Sequence, residues 1–228
     1  EERSGVVPNT KWKKKFIGQN WYLGETLHSG IGQGYFQSTP LQLCLMTAQI
    51  ANGGFKIKPR IIFDDKNDNL RNYLKYKNEN PNDPLPTDLL VSNFGLTPLF
   101  RNQENINFVK EAMYASTNEG GGTSYKSRFT SEKFMFAGKT GSSQIKRFTE
   151  AQREKEVKQN EIVYKDRDHA LFVAFAPYND PKYAISVLVE HGGSGSSSAA
   201  PIAKQVIKKV IERDSLRNSN LYKIGKDI

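Results

Sequence analysis

The sequence predicts an α+β domain in which helices flank an antiparallel β-sheet. Three observations carry this. Residues 169–176, His-Ala-Leu-Phe-Val-Ala-Phe-Ala, form a run of strand length that is apolar without a break from Ala170. A turn signal over 177–182, Pro-Tyr-Asn-Asp-Pro-Lys, joins it to a second strand pattern over 183–190. Residues 199–213 then place Ile202, Ala203, Val206, Ile207, Val210 and Ile211 on one helical face, with Lys204, Gln205, Lys208, Lys209 and Glu212 on the other. A helix patterned in this way covers one face of a sheet.

The N-terminal 29 residues are mixed and turn-rich, with Pro8, Gly18 and Gly24, and Trp12, Phe16, Trp21 and Tyr22 are available to pin them onto a body. Residues 29–35, Ser-Gly-Ile-Gly-Gln-Gly-Tyr, hold too much glycine for a helix or an ordinary strand. A phosphate-binding reading fails, because no βαβ-type strand precedes them and no Gly-Lys-Ser/Thr follows. A helix comes next: Thr39 is the N-cap, Pro40 the first helical residue, and Gln42 completes a capping box. Its body, with Leu41, Leu43, Cys44, Leu45, Met46, Ala48, Ile50 and Ala51, is apolar nearly all round, which predicts burial. Asn52-Gly53-Gly54 stops it. Residues 55–62 alternate like a short strand. Residues 64–105 are polar and proline-containing and read as a surface insertion. Residues 105–117 read as a helix with Ile106, Val109, Met113 and Tyr114 near one face, broken by Gly120-Gly121-Gly122. A second polar insertion spans 146–167, with a charged, solvated helix over 150–159. The tail, 214–228, reads as loose.

The totals narrow the function classes. The chain has 228 residues and a net charge of +9, from 33 Lys and Arg against 24 Asp and Glu. Such a balance suits an anionic partner or simply a solvated surface. A nucleic-acid-binding module would interleave aromatics with Lys and Arg on an exposed face, whereas here the aromatics cluster in apolar strands, so no nucleic acid is expected. The single cysteine, Cys44, allows no internal disulfide and no cysteine-rich zinc site. His28, His169 and His191 are scattered and read as structural, so neither metal nor cofactor is expected. Neither an apolar run of roughly 18 residues nor a signal peptide is visible. The chain opens on Glu1-Glu2-Arg3-Ser4 rather than Met, and the expectation is a piece of something longer.

The stretch over 134–145, Phe-Met-Phe-Ala-Gly-Lys-Thr-Gly-Ser-Ser-Gln-Ile, organises the rest. It starts apolar and becomes a row of small and polar residues around one lysine. Glycine inside a strand marks a place where another backbone or a ligand approaches. Lys139 supplies positive charge, Thr140 and Ser142 supply hydroxyls, and Gly141 leaves room between them. A carboxylate lying along this edge would meet all three. Lys-Thr-Gly is also one of the motifs of penicillin-interacting serine enzymes, though weak alone.

Several motifs in a fixed order make a stronger signal. Glu1-Glu2-Arg3-Ser4-Gly5, Trp21-Tyr22 with Gly24, Gly30-Ile31-Gly32-Gln33-Gly34-Tyr35, Thr39-Pro40-Leu41-Gln42, Ala51-Asn52-Gly53-Gly54, Lys139-Thr140-Gly141, Asp168-His169, 174–178 and Gly192-Gly193 follow one another along the chain. Together they resemble the transpeptidase domain of class B penicillin-binding proteins, and most closely the elongation type, penicillin-binding protein 2. The resemblance covers 1–213 apart from the two insertions. It implies a penicillin-binding transpeptidase and serine β-lactamase-like fold, and a periplasmic D,D-transpeptidase that cross-links peptidoglycan through a serine acyl-enzyme. By the same resemblance, Lys139 provides positive potential and is catalytic. Thr140, Gly141 and Ser142 bind the substrate carboxylate with it, and the Ser142 backbone N–H is an oxyanion donor. The implied partners are a stem peptide ending in D-Ala-D-Ala, β-lactams and a lipid-bound glycan polymerase. Attachment to the bacterial inner membrane, on its periplasmic face, would use a helix outside this sequence. A D,D-carboxypeptidase or a β-lactam sensor of the same fold are the alternatives, and a basic nucleic-acid-binding module is the alternative of another class.

The family also needs S-x-x-K and S-x-N motifs. Ser143-Gln144-Ile145-Lys146 matches the first in letters, but on a strand positions three apart face opposite ways. Ser116-Thr117-Asn118 matches the second, but it lies shortly before Lys139, whereas the family's relay pair precedes the glycine loop. Both read as accidental, so the nucleophile is expected upstream of this chain.

Overall fold

The computed structural model describes residues 3–59, 61, 69–80, 82–83, 87–102, 104–145 and 161–224. Seven α-helices and three strands are described. They are α1 (Thr10–Phe16), α2 (Leu23–Gly30), α3 (Pro40–Ala51), α4 (Asn69–Glu79), α5 (Thr87–Phe94), α6 (Glu104–Asn118), β1 (Ala137–Ser143), β2 (His169–Ala176), β3 (Tyr183–Val189) and α7 (Ala200–Ile224). The strands form one antiparallel sheet in the order β1-β2-β3, so β1 is an edge. An antiparallel sheet flanked by helices is the α+β architecture that the sequence predicts.

The chain divides into two compact units. One comprises residues 1–44, 139–173 and 185–228; the other comprises 45–138 and 174–184. In the first, the N-terminal segment folds as two short helices rather than turns. Of the expected aromatics Trp12 does pack, against Tyr35, but the buried anchor is a lysine. Lys13 is 1 % exposed, ion-paired to Glu25 on α2, and donates to the Asn20 carbonyl at 2.7 Å. Its ammonium also lies 4.4 Å from the Tyr22 ring centroid. A buried charge needs such partners, and these tie α1 to α2. Phe16 and Tyr22 stay exposed. The Thr39–Gln42 capping box forms as the sequence predicts: Gln42 N–H donates to Thr39 Oγ1 at 3.2 Å and Thr39 N–H to Gln42 Oε1 at 3.0 Å.

Helix α3 is not buried all round. Thr47 and Ala51 are buried, while Leu41 and Met46 are exposed, because the described residues supply no layer over that face. In α7 the inward stripe is narrower than its sequence suggests: Ala203, Ile207 and Ile211 are buried, and Ile202, Val206 and Val210 reach solvent. The helix also continues past 213 to Ile224, where a loose tail was expected. No proline or glycine interrupts 214–224, and Gly225 follows.

In the second unit, residues 55–59 are extended without forming a strand. Phe55 makes an isolated bridge to Pro98, and Pro59, lacking an N–H, cannot extend a ladder. The 64–105 stretch contains α4 and α5, and Leu90 and Leu96 pack with Phe55, Tyr73 and Phe94. The charged 150–159 segment lies outside the described residues.

Strand β2 has the predicted bounds, and Ala170, Phe172, Ala174, Phe175 and Ala176 are fully buried. Burying each phenylalanine contributes about 1.5–3 kcal/mol. Strand β1 is shorter than 134–145. Glu132–Phe134 is a single 3-10 turn, and the strand starts at Ala137.

Candidate active site

Strand β1 changes character along its length. Ala137 and Gly138 are buried, Thr140 and Gly141 are half-buried, and Lys139, Ser142 and Ser143 are exposed. The inner end is held by α6. Thr117, itself fully buried, accepts the Gly138 N–H on Oγ1 at 3.1 Å, and its hydroxyl lies 3.4 Å from the Gly138 carbonyl. Asn118 Nδ2 donates to the Phe136 carbonyl at 2.9 Å, and Tyr178 N–H donates to the Met135 carbonyl at 2.8 Å. Thr117 and Asn118 belong to the literal S-x-N match at 116–118. Their geometry makes them a clamp on the backbone that leads into Lys139.

Backbone groups of a strand alternate between its two edges. Strand β2 pairs with one edge of β1, and a Cβ at Gly141 would lie 3.3 Å from the Leu171 Cβ of β2. Gly138, three residues back, faces the other edge, where Thr117 meets it. The same alternation turns the N–H groups of Thr140 and Ser142 to that edge, which no further strand among the described residues lines. Lys139 lies along it: its ammonium donates to the Thr140 carbonyl at 2.9 Å and lies 3.3 Å from Thr140 Oγ1. This edge therefore carries the backbone groups of Thr140 and Ser142, with the Lys139 ammonium beside the Thr140 carbonyl and hydroxyl and the exposed Ser142 next along the strand. An anionic oxygen placed there would meet charge-assisted donors.

Gly195 holds the outer half of β1. A Cβ at 195 would overlap the Leu171 carbonyl oxygen and come within 2.9 Å of the Gly141 oxygen and 3.2 Å of its nitrogen. Only a residue without a side chain fits that close to two strand backbones. Just beyond β1, Ile145 N–H donates to the buried Asp168 carboxylate at 3.3 Å.

Ser143 ends β1 and is exposed, and residues 144–145 are not helical. Lys146 lies outside the described residues, so the literal S-x-x-K is not seen as a unit. Of the three histidines, His169 and His191 come together, with ring centroids 4.9 Å apart. His28 sits on α2 beside a small pocket lined with Glu25, Ser29, Gly34 and Tyr35. Among the described residues no group of three His, Cys, Asp or Glu could hold a metal ion, and no helix is long and apolar enough to cross a membrane. Thr117 and Asn118, which hold the start of β1, and Gly195, which lies on its outer half, are residues that sequence reasoning missed. The only signal for the first two was the S-x-N spelling, which suggests a different role.

Comparison with known proteins agrees with this architecture. The family model described as penicillin binding protein transpeptidase domain matches residues 1–208. The peptidoglycan D,D-transpeptidase MrdA of Salmonella typhimurium is 31 % identical over 212 residues, covering 93 % of this chain and 31 % of that protein. The MrdA of Acinetobacter baumannii is 34 % identical over 208 residues, 90 % of this chain and 27 % of that protein. The structure of Pseudomonas aeruginosa PBP2 in complex with WCK 5153 is similar at 36 % identity and a TM-score of 0.64, over 91 % of this chain and 38 % of that one. The complex between PBP2 and MreC from Helicobacter pylori is similar at 30 % identity and a TM-score of 0.69, over 93 % of this chain and 32 % of that one. The chain thus spans about a third of the length of the curated relatives it matches. With the match running through the glycine loop, the capped helix α3 and β1 alike, the chain belongs to the penicillin-binding protein transpeptidase domain family.

Proposed function

We propose that this chain is the substrate-gripping part of a peptidoglycan D,D-transpeptidase. The observation that carries the reading is the placement of Lys139, Thr140 and Ser142 on β1, an edge strand of the sheet among the described residues. A D-Ala-D-Ala peptide ends in a carboxylate, and its scissile carbonyl develops negative charge during acyl transfer. Lys139 and the hydroxyls of Thr140 and Ser142 hold the carboxylate, Gly141 gives the substrate backbone room, and the Ser142 N–H stabilises the oxyanion. Lys139 also keeps the local potential positive, which favours the deprotonated state of a serine–lysine pair. The serine nucleophile, its lysine and the relay pair come from outside these 228 residues. That is consistent with relatives about three times as long and with Thr117 and Asn118 being engaged by backbone.

The reaction runs in two steps. The serine oxygen attacks the penultimate D-Ala carbonyl, and terminal D-Ala leaves carrying a proton. An acceptor amine then attacks the acyl-enzyme and releases the serine. A β-lactam enters the same step, but its ring-opened leaving group stays tethered, and the acyl state persists. The whole protein would work at the periplasmic face of the inner membrane, anchored by a helix outside this sequence, beside a lipid-bound glycan polymerase. The relative solved in complex with MreC supports a protein partner for the whole molecule.

A fluorescent penicillin should label the full-length protein covalently, and unlabelled penicillin should compete. The 228-residue chain alone should not be labelled; stable labelling of it would place a nucleophile within these residues. A carboxypeptidase would release D-Ala from stem peptide without forming cross-links, and a β-lactam sensor would do neither.

A further inference from the structure

His191 follows β3 with φ at +55°, in the left-handed region. A residue with a side chain stays there only when its surroundings hold it. Three contacts do so. His191 N–H donates to His169 Nδ1 at 2.9 Å, the His191 ring Nδ1 lies 3.3 Å from the Arg167 carbonyl, and Gly193 N–H donates to the Asp168 carbonyl at 2.8 Å. Ser198 Oγ closes the turn by donating to the Gly192 carbonyl at 2.7 Å. Because His169 Nδ1 accepts an N–H, the neutral ring must carry its proton on Nε2.

The held turn leads directly to Gly195, the residue seated on the Gly141 backbone of β1. Asp168 acts on the same strand from its far end, through its carboxylate and the Ile145 N–H. Both positions of the Asp168-His169 dipeptide therefore bear on one strand. One restrains the chain leaving β1, and the other fixes the turn that presses Gly195 against it. Gly192 is confined as well, since a Cβ there would come within 3.0 Å of Ala170 Cβ.

We propose that Asp168 and His169, acting through the His191 turn, are positioning residues for the 139–142 grip. His169 Nδ1 is the acceptor that sets the turn, and the turn sets where Gly141 and the Ser142 N–H lie. None of the three needs to touch substrate. The proposal rests on the transpeptidase reading for its catalytic consequence, while its structural part stands on the geometry alone.

The test uses the full-length protein with His169→Phe, which keeps a ring without an acceptor, and His169→Asn, whose side-chain oxygen can take the place of Nδ1. In His169→Phe, amide hydrogen exchange at His191 and at 141–145 should accelerate about tenfold, the weight of one lost buried hydrogen bond. The penicillin acylation rate should fall by about the same factor. His169→Asn should restore both to within about threefold of wild type. His191→Gly, which keeps the N–H donor and adopts positive φ freely, should also stay within about threefold and serves where His169→Phe does not fold. Unchanged exchange at 141–145 in His169→Phe, an Asn variant as impaired as the Phe variant, or a large loss in His191→Gly each overturn the proposal. A wild-type protein that penicillin does not acylate refutes the transpeptidase reading instead, and the exchange pattern still decides the positioning role.

Discussion

Replacing Thr117 with valine tests how the grip strand is held. The side chain keeps nearly the same shape, so no cavity opens. What disappears is the oxygen that accepts the Gly138 N–H at 3.1 Å and contacts the Gly138 carbonyl at 3.4 Å. Thr117 is fully buried and Gly138 is buried too, so no solvent replaces the lost acceptor. An unsatisfied buried donor costs about 1–3 kcal/mol. For a domain of this size each kcal/mol lowers the melting midpoint by about 2–4 °C. Thr117→Val should therefore melt several degrees below wild type, and Thr117→Ser, which keeps the hydroxyl, should lie between them. Since Gly138 directly precedes Lys139, penicillin acylation should slow in the same order. A valine variant that melts and acylates like wild type would show that β1 is held by other contacts.

Gly195→Ala should destabilise by about 1–3 kcal/mol, because the new methyl meets two strand backbones rather than a yielding side chain; denaturant titration reads this. Glu25 is held below the usual carboxylate range, chiefly by its hydrogen bond from Lys13 and then by the Tyr22 N–H. A depressed carboxyl contributes stability above its unfolded pKa and loses it as pH falls through the lower folded value. Unfolding midpoints taken from neutral pH into acid should fall in that window, and Glu25→Gln should start lower and lose less on acidification. Burial pushes the Cys44 thiol up, so alkylation at neutral pH should be slow in the folded protein and accelerate on unfolding.

The features that were legible in the sequence were local ones. The start of α3 follows from Thr39, Pro40 and Gln42, which interact within four residues. The bounds of β2 follow from an uninterrupted apolar run ended by Pro177. Helices α1 and α2 were not legible, because their stability comes from a buried lysine finding a glutamate on the next helix and from Trp12 meeting Tyr35. Propensity alone does not form helices that short. The letters Lys-Thr-Gly pointed to β1 and to its exposed lysine. They could not reveal which edge the Ser142 N–H faces, since that depends on pairing with β2. Likewise, the His169–His191 contact joins residues far apart in sequence and exists only once β2 and β3 lie side by side. The S-x-N spelling at 116–118 has the letters of a catalytic motif, its place in the chain marks it as accidental, and its contacts are structural.

Whether β1 grips the substrate is decided most directly by the acylation rate constant of the full-length protein with a fluorescent penicillin, wild type against Lys139→Ala. Loss of a charged group that acts on the reacting centre should slow acylation by about a hundredfold or more, with the melting midpoint little changed because the side chain is exposed. An alanine variant that reacts as fast as wild type would contradict the assignment of Lys139, and with it the role given to this strand.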